Sequence, residues 1–407
     1  MTVYSRYRRR TCNAHEVTKG AKRVIVVGAG LSGLTAALYL SAAGRDVTLV
    51  DKRHTPGGRH AGLEFDGYRF DVGPAQAWTP EKLAAPLAAV GEDLADWVDL
   101  EPLDPVCRAH YPDGTTLDVH ADPYRTADNI RDLCGGPEAR AFIRFLSLSW
   151  VPGEWVLNDQ RTLSLCGSTA LFGFAPWTMA WQPRGGFPAV AQAFAAVAHK
   201  CGVNLRLATS ARLWETLDDR MVAVHTGDGE RLTADAFIVP AGRTLVADGP
   251  SQLVIHLGTS RAYTKIATHN LHFGRRWQRN VREVLERGQL MRDPTVLVTA
   301  LDGTYRIVVP VPNLRRAPYD WDGPAARIYA GEIMAVLERR GYLDLGADLH
   351  TSYVMTPADW ARQDMPYGIP HGSTKSPSTL HPALANVVIA ASGVDGGRRA
   401  AKRVIAI

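Results

Sequence analysis

Three glycines, Gly28, Gly30 and Gly33, stand between the apolar run "RVIVV" and the run "LTAALYLSAAG", and they constrain this chain more than any other feature. The first run is short, continuous and rich in β-branched residues, as expected of a parallel strand covered on both faces. The second is made of good helix formers and stops at Gly44, a natural C-terminal residue for a helix. In such a turn the first glycine permits the tight bend, the second lets a pyrophosphate approach the backbone, and the third lets helix and strand pack closely. The helix N-terminus then faces the phosphates with its free N–H groups. "DVTLV" gives a second strand with Asp51 at its end, where an acid accepts hydrogen bonds from a ribose hydroxyl. Strand, glycine turn, helix, strand and acid occur in that order, which implies dinucleotide binding by a Rossmann-like α/β unit. The order does not separate NAD from FAD.

The chain has 407 residues, enough for one large enzyme or two interleaved domains. Hydrophobic residues make up 46% and charged ones 21%, so a sizeable core is available. A formal charge of +5 is too mild at this length to mark a nucleic-acid partner. Much of the excess lies ahead of the first apolar run, in "YSRYRRRTCNAHEVTKGAKR". Two readings of residues 1–21 stay open: a disordered basic tail, or peripheral contact with an anionic membrane surface. No apolar segment follows those basic residues as a secretory signal would require, and no run is long enough to span a bilayer. Cys12, Cys107, Cys134, Cys166 and Cys201 are scattered and show no CxxC spacing. Neither a zinc site nor a disulfide framework is indicated, which fits a cytoplasmic, reducing setting, with membrane association left open by the tail.

"KRHTPGGRHAG" follows the acid at once. Glycines this close let the chain pass the same dinucleotide a second time. With that element the chain resembles the FAD-dependent amine oxidase and phytoene desaturase superfamily, in which the acid is followed by a glycine pair and an arginine against the flavin. The resemblance implies FAD as cofactor, with contacts from Gly28, Gly30, Leu31, Ser32, Gly33, Asp51, Lys52, Gly57, Gly58 and Arg59. "YRFDVGPAQAW" resembles the next element, a turn through Gly73 and Pro74 beside the flavin, with Asp71 in its usual place. The stretch from "PRGGFPAV" to "FIVPAG" resembles the second FAD segment of the phytoene desaturase branch: a glycine pair, a helix, a strand, a β-meander and a returning strand. In that family the residue matching Leu213 approaches adenine through its backbone. "NVVIAASGVDGGRRAAKRVIAI" is similar to the closing strand, turn and helix, and implies approach to the cofactor at Gly393, Asp395, Gly396 and Gly397.

The implied fold class is α/β, with a GR2-type Rossmann-like FAD-binding domain on a parallel sheet, interleaved with a substrate domain of mixed sheet and helices. Residues 22–75, 184–245 and 375–407 are expected to form the first, and 76–183 and 246–374 the second. "PAARIYAGEIMAVLERRG" has the spacing of an amphipathic helix. Family members are usually longer, and the shortening falls mainly between Trp150 and Arg184. Trp150, Trp155, Phe172, Phe174, Trp177 and Trp181 in this region either line an apolar substrate pocket or belong to the core.

The resemblance implies removal of a hydride and a proton from an apolar, isoprenoid or polyene-like small molecule, with the hydride passed to flavin N5. His60 is a candidate catalytic base because imidazole titrates near neutrality, and His371 is a second. No metal-ligand spacing is present. No second glycine fingerprint follows a strand, so oxygen or a quinone is the expected electron acceptor. Two alternatives stay open: a flavin oxidase or dehydrogenase acting on a smaller soluble compound, and a non-redox isomerase or prenyl-ligand carrier. Oligomeric state is not legible.

Overall fold

The computed structural model describes residues 22–71, 79–147, 157–173, 175–240, 249–301, 303–363, 365–370 and 379–407. Its first sheet has six strands in the order Thr379–His381, Leu384–Ala390, Ala236–Pro240, Arg23–Val27, Asp46–Val50, Asn204–Arg206. All neighbours are parallel except the outermost pair, Thr379–His381 with Leu384–Ala390. Burial on both faces explains the unbroken apolar run of the first strand. Val24 and Val26 pack with Leu34, Leu38, Phe194 and Val404 of the helices Leu31–Ala42, Phe187–Lys200 and Gly393–Ile405. Ile25 faces the other way, with Phe237 and Val387, onto Met221 and Val224 of the three-stranded meander. The helix Pro80–Ala88, expected in the substrate domain, sends Leu83 and Leu87 into the first of these cores.

The second sheet has seven strands, in the order Leu349–Met355, Ser251–Thr259, Thr304–Val311, Val296–Leu301, His269–His272, Cys107–His110, Thr116–Val119. It is antiparallel except where His269–His272 runs parallel to Cys107–His110. The helix Pro324–Arg339, with the expected amphipathic span, packs on this sheet through a core that includes Ile333 and Leu337. A hairpin of Gly62–Phe65 and Tyr68–Asp71 joins the two parts: its second strand lies against Thr304–Val311. Tyr68 sits so close over Gly258 that a Cβ there would be 2.7 Å from the tyrosine ring. Among the described residues no helix is long and apolar enough to cross a membrane.

Candidate functional site

At the carboxyl ends of the central parallel strands a cleft opens. It is bounded by Val27 and Gly28, the first residues of the helix Leu31–Ala42, Gly57 and Arg59, Pro240, and Ala391 to Gly393. This is where an open α/β sheet binds its ligand. The glycine fingerprint is required by packing here. A Cβ on Gly33 would lie 1.8 Å from the carbonyl oxygen of Gly28, so any side chain would force helix and strand apart.

The second glycine pair has an equally local reason. Gly57 donates its N–H to the Ala29 carbonyl at 2.8 Å, which lays the segment along the first turn. Gly58 has a φ of +57°, and a Cβ there would be 3.1 Å from the Cα of Gly30. The two glycine turns are therefore in backbone contact, which the larger residues would prevent. Arg53 clamps the arrangement by donating to the Gly58 carbonyl at 2.5 Å. Arg59 donates to the Pro370 carbonyl at 3.1 Å.

Asp51 ends the second strand, as the sequence implies. One carboxylate oxygen accepts from the Ala29 N–H at 2.6 Å and the other from the Arg53 N–H at 2.8 Å. The carboxylate is thus fixed beneath the glycine turn with acceptor capacity left on each oxygen. Two helix N-termini meet at the cleft, from Leu31–Ala42 and Gly393–Ile405, and neither is capped by its own Ncap side chain. The Ser32 hydroxyl donates to the Ala391 carbonyl at 2.7 Å and ties the two together. Two converging positive helix ends, a tethered acid and a floor without side chains suit an extended dinucleotide with a doubly charged pyrophosphate, so the residues present fit FAD.

Deeper in, His60 is buried, with its ring 5.8 Å from that of Phe187. Burial, together with the charges of Arg59 and Arg306, pushes its pKa down to about 3. It is therefore neutral near pH 7 and too weakly basic there for the near-neutral titration that made it a candidate base. Asp71 accepts a hydrogen bond from the Phe187 N–H at 3.1 Å. Burial pushes its carboxyl up to about 6, against the opposing pull of that N–H and of Arg306.

Several residues singled out in the sequence are not among those that line the cleft. Leu213 lies on a strand of the meander with its side chain 67% exposed. Lys52 is exposed beyond Asp51. Asp395 turns to Arg398 at 3.2 Å. Gly396 and Gly397 are within the last helix, where a Cβ would lie 2.0 Å from the Ala391 oxygen and 2.1 Å from the Ser32 oxygen. Their bareness serves close packing of that helix on its own turn and on the first helix. Phe172 is buried in the second core, and Trp177 packs edge-on against Phe142 and Phe145. Gly73, Pro74, Trp150, Trp155, Phe174 and His371 lie outside the described residues. Sequence reasoning missed Arg53 and Arg306. The first had a signal, being two residues past the acid; the second shows only as a charge inside the apolar run "YRIVVPV".

A family model described as an NAD(P)-binding Rossmann-like domain matches residues 26–88. The phytoene dehydrogenase of Streptomyces griseus is 30% identical to this chain, and the match covers 92% of the chain and 91% of the relative. The lycopene-forming phytoene desaturase of Pantoea ananas is 26% identical, with 87% and 89% covered. Wild-type putrescine oxidase bound to putrescine has a similar fold, with a TM-score of 0.59 at 16% identity over 95% of this chain and 98% of that one. On the strength of the first of these relatives and of the cleft itself, the chain belongs to the phytoene desaturase branch of the FAD-dependent amine oxidase-like flavoproteins and is an FAD-dependent oxidoreductase.

Proposed function

We propose that the chain dehydrogenates an apolar polyene or isoprenoid, taking a hydride and a proton from adjacent carbons. The observation that carries this is the junction of both glycine turns with two helix N-termini, a cradle that suits FAD bound in an extended form. The names of the relatives supply the substrate class: phytoene for the Streptomyces griseus protein and hydroxyneurosporene for a relative from Rubrivivax gelatinosus. Bound FAD supplies a two-electron acceptor at N5. The protein's part is to bind, orient and keep water out. Gly28, Gly30, Leu31, Ser32 and Gly33, with Gly393, would hold the pyrophosphate, Asp51 the ribose, and the backbone at Leu213 the adenine. Gly57, Gly58 and Arg59, with Gly73 and Pro74, would hold the flavin end. Neutral His60 serves as a positioning group. The strands of the first sheet, with the meander, form the FAD domain, and the seven-stranded sheet the substrate domain. The acceptor that would reoxidise bound FAD is oxygen or a quinone.

The test is the visible spectrum of the purified protein, followed anaerobically. Flavin bands that bleach with phytoene, and return on adding a quinone or air, support the reading. A protein that cannot be loaded with FAD, or turnover that strictly requires NADPH, counts against it.

A further inference from the structure

The face that the second sheet turns toward the hairpin Gly62–Asp71 is not lined as a channel for a pure hydrocarbon would be. Register puts Tyr353, His256, Arg306, Thr299 and His269 side by side across five neighbouring strands. His256 pairs with Tyr353 on one side and Arg306 on the other, Arg306 with Thr299, and Thr299 with His269. Cross-strand partners share a face, so these residues form one lateral polar row. The row faces the dinucleotide fold: the ring of His256 is 5.2 Å from that of Phe70, on the strand that ends at Asp71. Alternate residues Leu253, Ile255 and Leu257, paired with Val309, Ile307 and Tyr305, occupy the other face.

Arg306 is the centre of the row. It is 8% exposed and His256 is 0% exposed. Among the described residues, Nε and one terminal nitrogen of Arg306, and both ring nitrogens of His256, are buried with no hydrogen-bond partner. The Asp71 carboxylate acts on the Arg306 guanidinium through space. A buried guanidinium with idle N–H groups is costly unless something accepts from it. Groups of this kind call for a ligand, an ion or a water. A guanidinium fork is best matched by a carboxylate or another oxygen acceptor.

We propose that Arg306, with His256 beside it, is a specificity-determining site for an oxygen-bearing terminus, best a carboxylate, on an otherwise apolar polyene substrate. This rests on the reading of the chain as a polyene-oxidising flavoprotein and narrows its substrate class. The source of the acceptor is the substrate, not the flavin, because Arg306 and His256 belong to the strands of the substrate sheet and are absent from the lining of the dinucleotide cleft.

The test uses the FAD-loaded protein and two polyenes of one chain length, all-trans-retinoic acid and its hydrocarbon analogue axerophtene, each titrated against the flavin absorbance. The wild type is expected to bind the acid about tenfold to a hundredfold more tightly than the hydrocarbon. Arg306→Leu should abolish that preference, and His256→Phe should reduce it. Arg306→Lys, which keeps a charge in the core if the leucine variant does not fold, should retain part of it. Equal binding of the two ligands by the wild type, or a preference that survives Arg306→Leu, overturns the proposal and leaves the flavoprotein reading standing. So does a shift of the flavin midpoint potential or loss of FAD in Arg306→Leu without a change in ligand preference, which would assign the guanidinium to the flavin; a preference for water alone would show as indifference to both ligands. A wild type without FAD sinks the underlying reading instead.

Discussion

Gly33 is held to glycine by a single oxygen. A Cβ there would lie 1.8 Å from the Gly28 carbonyl, which belongs to the turn itself and has no freedom to move away. Gly33→Ala should therefore cost about 2 kcal/mol through overpacking and displace the helix N-terminus from the cleft. The expected outcome is a lower midpoint in urea and a loss of bound FAD, read from the ratio of flavin to protein absorbance. Asp71 gives a second, pH-dependent prediction at this scale. Folding raises its pKa from 3.8 to about 6, so the native state binds this proton more tightly than the unfolded chain does. The associated stability is fully present below the unfolded value and is lost as pH rises through about 6. Asp71→Asn keeps an acceptor for the Phe187 N–H and removes the titration. Its stability relative to wild type should rise by on the order of 2 kcal/mol between about pH 4 and pH 7. Urea melts at the two pH values check this; a constant difference would show that Asp71 does not titrate in that window.

Between elements, the decisive contact is the crossing of the last helix, Gly393–Ile405, on the first, Leu31–Ala42. Gly397 lies against the Ser32 carbonyl, 2.1 Å from where its Cβ would be, and the Ser32 hydroxyl bonds to Ala391 just ahead of the last helix. Gly397→Ala should push the helices apart, separating the two positive ends that converge on the pyrophosphate. FAD affinity should fall together with the thermal midpoint, whereas an exposed control such as Leu343→Ala should move neither appreciably. A fall in stability with unchanged FAD affinity would show that the crossing is structural only. Both helices, and the strands before them, were legible in the sequence because their periods and glycine stops are local properties. The bareness of Gly397 was legible as a glycine and misread as cofactor approach, since its reason lies in a residue some 365 positions away in the chain. The row at Arg306 was not legible at all. Its members come from five strands, and which of them lie abreast is fixed by register, which no short stretch of sequence contains.

The two largest sheets have separate cores, one around Leu34, Phe194 and Val404 and the other around Phe142, Ile307 and Leu337. The cofactor cleft is built almost wholly on the first, from pieces of chain near residues 28–33, 57–60, 238–240 and 390–393. A ligand that bridges such distant pieces stabilises only the folded arrangement, and at a hundred times its Kd it contributes about 2.7 kcal/mol. Protein stripped of FAD should accordingly melt lower, with a midpoint that climbs as FAD is added back. The effect should also be unequal across the molecule, because local openings follow cooperative units and not the chain average. Hydrogen exchange of the stripped protein should quicken in Ala236–Pro240 and Leu384–Ala390, whose carboxyl ends meet the cleft, and change little in Val296–Leu301 at the middle of the second sheet. Equal acceleration in both sheets would mean that the hairpin Gly62–Asp71, landing on Thr304–Val311, couples them into one unit. In that case FAD binding on one sheet would stiffen the row around Arg306 on the other, and the substrate's affinity would rise with flavin occupancy.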